Sequence, residues 1–176
     1  MRRLRFLWVL VAVIVAGAVW QLLFNGKTVG PTVIVPRATA TIGSGADAVA
    51  VGPGGQLLGW LPVSEDAQLP ALPLTAPPRN GRLAGPVLQQ AKVLGAAPAG
   101  LRPYLESSYD GESGVDVRLR SGIELRFGDA SQVRAKWKAA AAVLADPSVT
   151  SLDYVDLHAP GRPAVGGSGH TLPPVE

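Results

Sequence analysis

The sequence predicts an α+β fold: one N-terminal transmembrane helix followed by a mainly antiparallel β-sheet domain with two helices. Three observations predict it. An apolar run near the N-terminus is almost free of polar side chains, apolar and polar residues alternate between Val115 and Phe127, and two short stretches carry apolar residues at helical spacing.

The chain opens on a basic tail, residues 1–5, with Arg2, Arg3 and Arg5. From Phe6 to Phe24 the only polar side chain is Gln21. A helix of that length would span ~28 Å, close to the roughly 30 Å of a bilayer core. Trp8 and Trp20 lie towards its ends, where amphipathic rings favour headgroups, and the three arginines hold the N-terminus in the cytoplasm. A cleaved signal peptide is the competing reading, because Ala16, Gly17 and Ala18 supply small residues. The apolar run continues past them through Val19, Trp20, Leu22, Leu23 and Phe24, which favours a retained anchor.

Charge excludes one class of partner. Of 16 Lys and Arg, three precede the apolar run, leaving 13 to face 13 Asp and Glu in the rest of the chain. That part is formally neutral, so the electrostatic footprint of a nucleic-acid binder is missing. There is no cysteine, so disulfides and thiolate chemistry are excluded as well.

Residues 25–46 read as a linker with at most one strand, at Val33 to Val35. Ala48 to Val51 and Gln56 to Leu61 flank Gly52, Pro53, Gly54 and Gly55, a hairpin signal; without GK[ST] after it, the glycine cluster is a turn rather than a phosphate loop. Prolines between Pro62 and Gly85 predict an extended surface connection that includes Leu69 to Leu72. Pro86 then opens a helix that Gly95 closes, with Val87, Leu88, Ala91 and Leu94 on one face.

The alternation after Val115 fixes register as well as strands. A two-residue loop would set Leu119 against Glu124 and mix the faces. A three-residue loop of Arg120, Ser121 and Gly122 pairs Leu119 with Ile123, Val117 with Leu125 and Val115 with Phe127. It also sets Arg118 against Glu124 and Asp116 against Arg126 on the solvent face, with Gly122 at a left-handed position. Asp129 and Gln132 predict a capping box for the next helix, whose stripe holds Val133, Trp137, Ala140, Ala141 and Leu144. Trp137 there reads as a core residue, not a ligand platform. Asp146 and Pro147 end the helix. A last strand runs from Leu152 to about His158, with Val155 and Leu157 facing in, followed by an extended piece to Val165 and a flexible tail, residues 167–176. A terminal strand is expected to be an edge, and edges expose unpaired backbone groups that can bind another chain.

Catalytic signals are thin. The two histidines, His158 and His170, read as surface residues, and no histidines or carboxylates stand at metal-ligand spacing within one helix. Asp153 and Asp156 are placed on opposite faces of one strand. No GxSxG, SxxK or HExxH pattern occurs. The reading is of a protein that is not an enzyme, takes no cofactor, metal or small-molecule substrate, and acts through a surface.

The ordered set of GVDVRLRSGIELRFGD, the helix that contains Lys136 and ends with Ala142 to Leu144, and LDYVDLHAPGRPAVG resembles the C-terminal β-domain of the FtsQ/DivIB cell-division proteins. The hairpin around Gly52 and the Leu69 to Leu72 segment fit the same pattern, so the likeness covers residues 47–166. The resemblance implies a bitopic scaffold of the bacterial divisome in the cell membrane. Its C-terminal domain would be extracytoplasmic, recruiting other single-span subunits of the FtsB and FtsL kind to the septum. It also implies that the POTRA domain usual in the family is missing or reduced, since only residues 25–46 occupy its place. In that family a partner adds to the edge formed by the last strands. Carried over by position, the contacts would be Leu157, His158, Ala159, Gly161, Arg162, Ala164 and Val165. A membrane-anchored subunit of an envelope assembly or secretion complex is the alternative function.

Overall fold

The computed structural model describes residues 37–64 and 67–172. The chain divides into two units, Met1–Val35 and Pro36–Glu176, and the described residues all lie in the second. The apolar segment 6–24 and the expected strand at Val33 to Val35 lie outside the described residues. Among those described, no helix is long and apolar enough to cross a membrane.

Strands β1 (Ala40–Ile42) and β2 (Val49–Val51) form a two-stranded antiparallel ladder. Helix α1 (Gly85–Gly95) follows. Then β3 (Leu105–Gly111), β4 (Gly114–Leu119), β5 (Glu124–Gly128), helix α2 (Val133–Leu144), β6 (Ser151–Asp156) and β7 (Ala164–Thr171) complete the order. The last five strands make one sheet in sequence order, antiparallel except where β6 runs parallel to β5. A parallel neighbour needs a crossover, and α2 is that crossover. The mainly antiparallel sheet with two helices agrees with the predicted class.

Ala71 joins the two sheets. Its N–H donates to Glu106 O at 2.9 Å and its carbonyl accepts from Ser108 N at 3.0 Å, while Thr41 N donates to Pro70 O and Leu72 N to Thr41 O, both at 2.9 Å. The connection expected to lie on the surface thus supplies one extended residue between β1 and β3, and Leu72 is buried beneath it.

The predicted β4–β5 hairpin forms with its three-residue loop. Leu119 N donates to Ile123 O at 2.9 Å, and Gly122 N to Leu119 O at 2.8 Å with Gly122 at φ +93°, the left-handed position the loop requires. Val117 faces Leu125 and Arg118 faces Glu124 as expected. The far end differs: a bulge sets Val115 against Gly128 instead of Phe127. The core-facing residues Val115, Val117, Leu125 and Phe127 are still all buried, because the bulge absorbs the shift.

Helix α1 starts where Pro86 predicts and buries Gln90, Ala91, Val93 and Leu94, while Val87 and Leu88 are only half-buried. In α2, Trp137 is a core residue: its ring packs on Phe127 at 4.8 Å between centroids, and Nε1 donates to Val93 O at 2.8 Å, tying the two helices together. The expected capping box is not formed. The residue before the helix is Gln132 in the left-handed region, with no side-chain cap, and Asp129 accepts instead from Ser131 and from Lys136 Nζ at 2.7 Å. Lys136, only 2% exposed, also donates to Phe127 O at 2.8 Å and Asp129 O at 3.1 Å, so it fastens the β5–α2 turn from inside.

Three elements escape the sequence pattern. Strand β1 comes from the stretch read as linker, yet Ala40 and Ile42 are fully buried. Strand β3 (LESSYDG) has the composition of a loop and becomes a strand by pairing along β4. Strand β7 extends through residues read as a flexible tail, as far as Thr171. The Gly52–Gly55 turn is present, with Gly52 N donating to Gln56 O at 2.9 Å, but β2 takes its longer ladder from β1.

Candidate functional site

The side of β7 turned away from β6 is unpaired among the described residues. Strand β6 is therefore not the terminal edge that its sequence suggested. It lies between β5 and β7, and β7 holds the outer position.

The ladder fixes which groups β7 offers. Leu157 N donates to Arg126 O at 2.9 Å, with Arg126 level with Asp156, so the backbone groups of Val155 and Leu157 point to β5 and those of Tyr154 and Asp156 to β7. Ala164 faces Asp156 and Gly166 faces Tyr154. Alternation then turns the N–H and C=O of Val165 outward. Val165 faces the fully buried Val155, and cross-strand partners share a face. Its side chain thus continues the core surface past the margin, 48% exposed.

The residues carried over by position divide in two. Leu157 is completely buried and has no side-chain surface to offer. His158, Ala159, Gly161, Arg162, Ala164 and Val165 are exposed. His158 is held against its own strand, since Asp156 Oδ1 accepts from its backbone N at 2.9 Å and meets Nδ1 at 2.7 Å. Together the backbone and ring contacts of His158 outweigh burial and hold the Asp156 carboxyl below its usual range. Ala159 O accepts from Arg162 N at 2.9 Å, closing the turn that brings the chain back as β7.

Sequence reasoning missed the rest of the edge, Gly166 to Thr171, because glycine and serine carry no alternation. It also missed Tyr154 as a neighbour of that edge: the ring lies over Gly166, where a side chain would overlap it, and Arg126 stacks on it at 4.0 Å. The glycine opposite an aromatic is the signal that was available.

The face of the sheet away from the helices is polar and cross-linked. Glu124 accepts from Tyr109 OH at 2.6 Å and pairs with Arg118 at 2.9 Å, and Arg126 lies 3.7 Å from its other oxygen. Those hydrogen bonds, Tyr109 first, pull the Glu124 carboxyl down, while burial and then Glu124 push the Tyr109 phenol up to about 12. The expected Asp116–Arg126 ion pair is absent, because Arg126 turns to Glu124 and Tyr154. Asp116, expected on the solvent face, is only 8% exposed against Gly111, and burial pushes its carboxyl up to about 6 against the pull of Arg126. A recess of about 390 Å³ between Arg118, Glu124, Asp153 and His170 carries both signs of charge and no nucleophile–base pair. Among the described residues no three His, Asp or Glu side chains are grouped to hold a metal ion.

Residues 49–158 match the family model of the cell division protein FtsQ/DivIB, C-terminal domain. The matched span runs from β2 to the residue after Leu157, so β7 lies beyond it. No curated protein matches the chain. The matched span covers most of the chain, and its strands and helices are those described above; the chain belongs to the FtsQ/DivIB family of cell-division proteins.

Proposed function

We propose that the chain is a scaffold of the bacterial division machinery, anchored in the cell membrane by residues 6–24 and recruiting other single-span division proteins to the septum. The outer side of β7 is the docking edge, and a partner of the FtsB or FtsL kind adds an extended segment there. The observation that carries this reading is the outward backbone of Val165 beside a half-exposed apolar side chain that continues the core. Backbone pairing supplies affinity, and packing on Val165 supplies selectivity. His158, Ala159, Gly161, Arg162 and Ala164 border the same edge. Family membership supports a role in division through protein contacts, and the neutral, cysteine-free domain supports a surface over a pocket.

The test is Val165→Pro, which removes the outward N–H without touching the ladder to β6, in the full chain expressed in dividing cells. The expected result is loss of copurification with other single-span division proteins, and of septal recruitment of those partners, at normal protein levels. Unchanged copurification overturns the edge. A transport defect without filamentation on deletion of the gene would favour an envelope-assembly subunit instead.

A further inference from the structure

Strand β7 is eight residues long but meets β6 in two pieces. Ala164 to Gly166 face Asp156 to Tyr154, and His170 and Thr171 face Leu152 and Ser151. Between the pieces, Gly167, Ser168 and Gly169 stand opposite the single residue Asp153.

The interruption is braced. Asp153 Oδ1 accepts from Gly169 N at 2.8 Å and meets His170 Nδ1 at 3.1 Å. Gly167 sits at φ +80°, and a side chain at Gly167 or Gly169 would run into the Asp153 carboxylate. The His170 ring in turn lies over Gly122, the loop glycine of the β4–β5 hairpin. Two glycines, a carboxylate and a histidine are thus fitted to one another around a local departure from the strand.

We propose that this braced bulge is a register stop: it confines strand addition to the stretch around Val165 and denies the rest of β7 to an added chain, including a second copy of this one. The proposal rests on the docking reading for the partner, while its consequence for self-association does not.

The reasoning is geometric. An added strand meets outward N–H and C=O groups at every second residue of an edge. Before Val165 the outward residue is Pro163, which has no N–H to give. After it the outward groups should recur at Gly167, where the bulge begins. The bulge inserts two more residues in β7 than in β6, which keeps the alternation and returns Thr171 to the outward side, but the backbone from Gly167 to Gly169 leaves the line of the strand, so an added ladder in place at Val165 is interrupted before it reaches Thr171. Edges of natural sheets are blunted by such devices against pairing with copies of themselves. A partner must therefore obtain its affinity from a short ladder and from packing on Val165, not from strand length.

Two experiments on the full chain decide the matter. The first compares self-association by sedimentation for the unaltered protein, for Asp153→Ala, and for deletion of Ser168 and Gly169, which restores one-to-one pairing with β6. The deletion should strengthen dimerisation by at least about tenfold, since backbone bonds now closed to a second copy become available. Asp153→Ala should move in the same direction and Asp153→Asn, which keeps the acceptor, should not. Equal self-association in all four proteins overturns the stop. The second places a photocrosslinking side chain at Val165 or at Thr171 in dividing cells. Adducts with single-span division proteins at Val165 alone, spreading to Thr171 in the deletion variant, are expected. Equal adducts at both positions of the unaltered protein overturn the stop; adducts at neither sink the docking edge, and the sedimentation series then decides the stop by itself.

Discussion

The two margins of the extended sheet are treated in opposite ways. Beyond β2 the chain spends two further segments on closure. Leu57 faces Val51 and Gln56 faces Arg82, Leu57 N donates to Gly81 O at 3.1 Å, and Leu83 N donates to Gly55 O at 2.9 Å. Leu58 and Leu83 are buried in the process. Beyond β7 there is no such cover among the described residues, and an apolar side chain stands at the margin instead. An uncovered strand edge is a hazard that proteins manage or use. One end is closed and the other is bulged and uncovered, and it is at the second that the docking proposal places the partner. The contrast predicts that changes to the closed, helix-covered part will cost stability and leave association intact per folded molecule, whereas changes at β7 will do the reverse.

The largest effect tests the closed part. Trp137→Ala removes the ring packed on Phe127 and the hydrogen bond to Val93 O, and should destabilise the domain by about 3–5 kcal/mol in urea unfolding of the full chain. A loss below about 1 kcal/mol would mean that α2 is not fixed through this residue. Lys136→Met comes next. It leaves the carbonyls of Phe127 and Asp129 without their donor and should cost about 2–3 kcal/mol. It carries a pH signature. The Lys136 ammonium, with Ser131, holds the Asp129 carboxyl down at about 2, so that contribution is present above pH 4 and fades as pH falls towards 2. The gap between Lys136→Met and the unaltered protein should narrow below pH 4 without closing, because the two carbonyl bonds do not titrate. A gap independent of pH would show that the carboxylate adds nothing.

At the open margin the expectation inverts. Val165→Glu should leave the unfolding midpoint within about 0.5 kcal/mol of the unaltered protein, because the side chain is half in water already. Its association with the partner should fall at least about tenfold, since a carboxylate would have to be desolvated against an apolar contact. If binding survives and stability drops, the two margins have been assigned the wrong way round.

How much of this was legible in the sequence depends on what each element asks of its residues. The β4–β5 hairpin was legible down to its register because one face is core and the loop needs a glycine at one place. Trp137 and α2 were legible from a stripe of period 3.6. Strand β3 was not, because LESSYDG carries no apolar alternation of its own and owes its conformation to β4, across the turn at Glu112 and Ser113, and to the distant Ala71 on its other side. Strand β7 was not, because Gly166, Gly167 and Gly169 make room for Tyr154 and Asp153, a requirement of the neighbouring strand. Of the candidate site, the idea of an edge came from reading the last strand, and Val165 from the family resemblance. Leu157, placed facing in by the alternation, is buried accordingly, whereas the position of β6 inside the sheet and the bulge came from the pairing.

The smallest effect concerns the polar face that both margins share. Asp116 was expected to pair with Arg126 in water; it is nearly buried, and its partner is engaged elsewhere. Burial raises its carboxyl from the ordinary range to about 6, with Arg126 and His158 opposing and Glu124 and Asp156 adding to the rise. A carboxyl raised in the folded state binds more protons folded than unfolded between about pH 4 and 6, so stability is highest at the acid end of that window and is lost as pH rises through it. Above pH 6 the domain carries an ionised group where it is least solvated. Asp116→Asn keeps the shape against Gly111 and removes the charge, so it should stabilise the domain by ~1 kcal/mol at pH 7 to 8. The gain should shrink towards zero as pH falls to 4. Tyr109 titrates far above that window, its phenol being raised to about 12, and Glu124, whose carboxyl is lowered, contributes equally to both proteins and cancels in the difference between them. A gain that is flat across pH would mean that the asparagine acts through packing and not through the charge. A loss at pH 7 would mean that the Asp116 carboxylate is held by Arg126 after all, and that the polar face is a matched ion lattice.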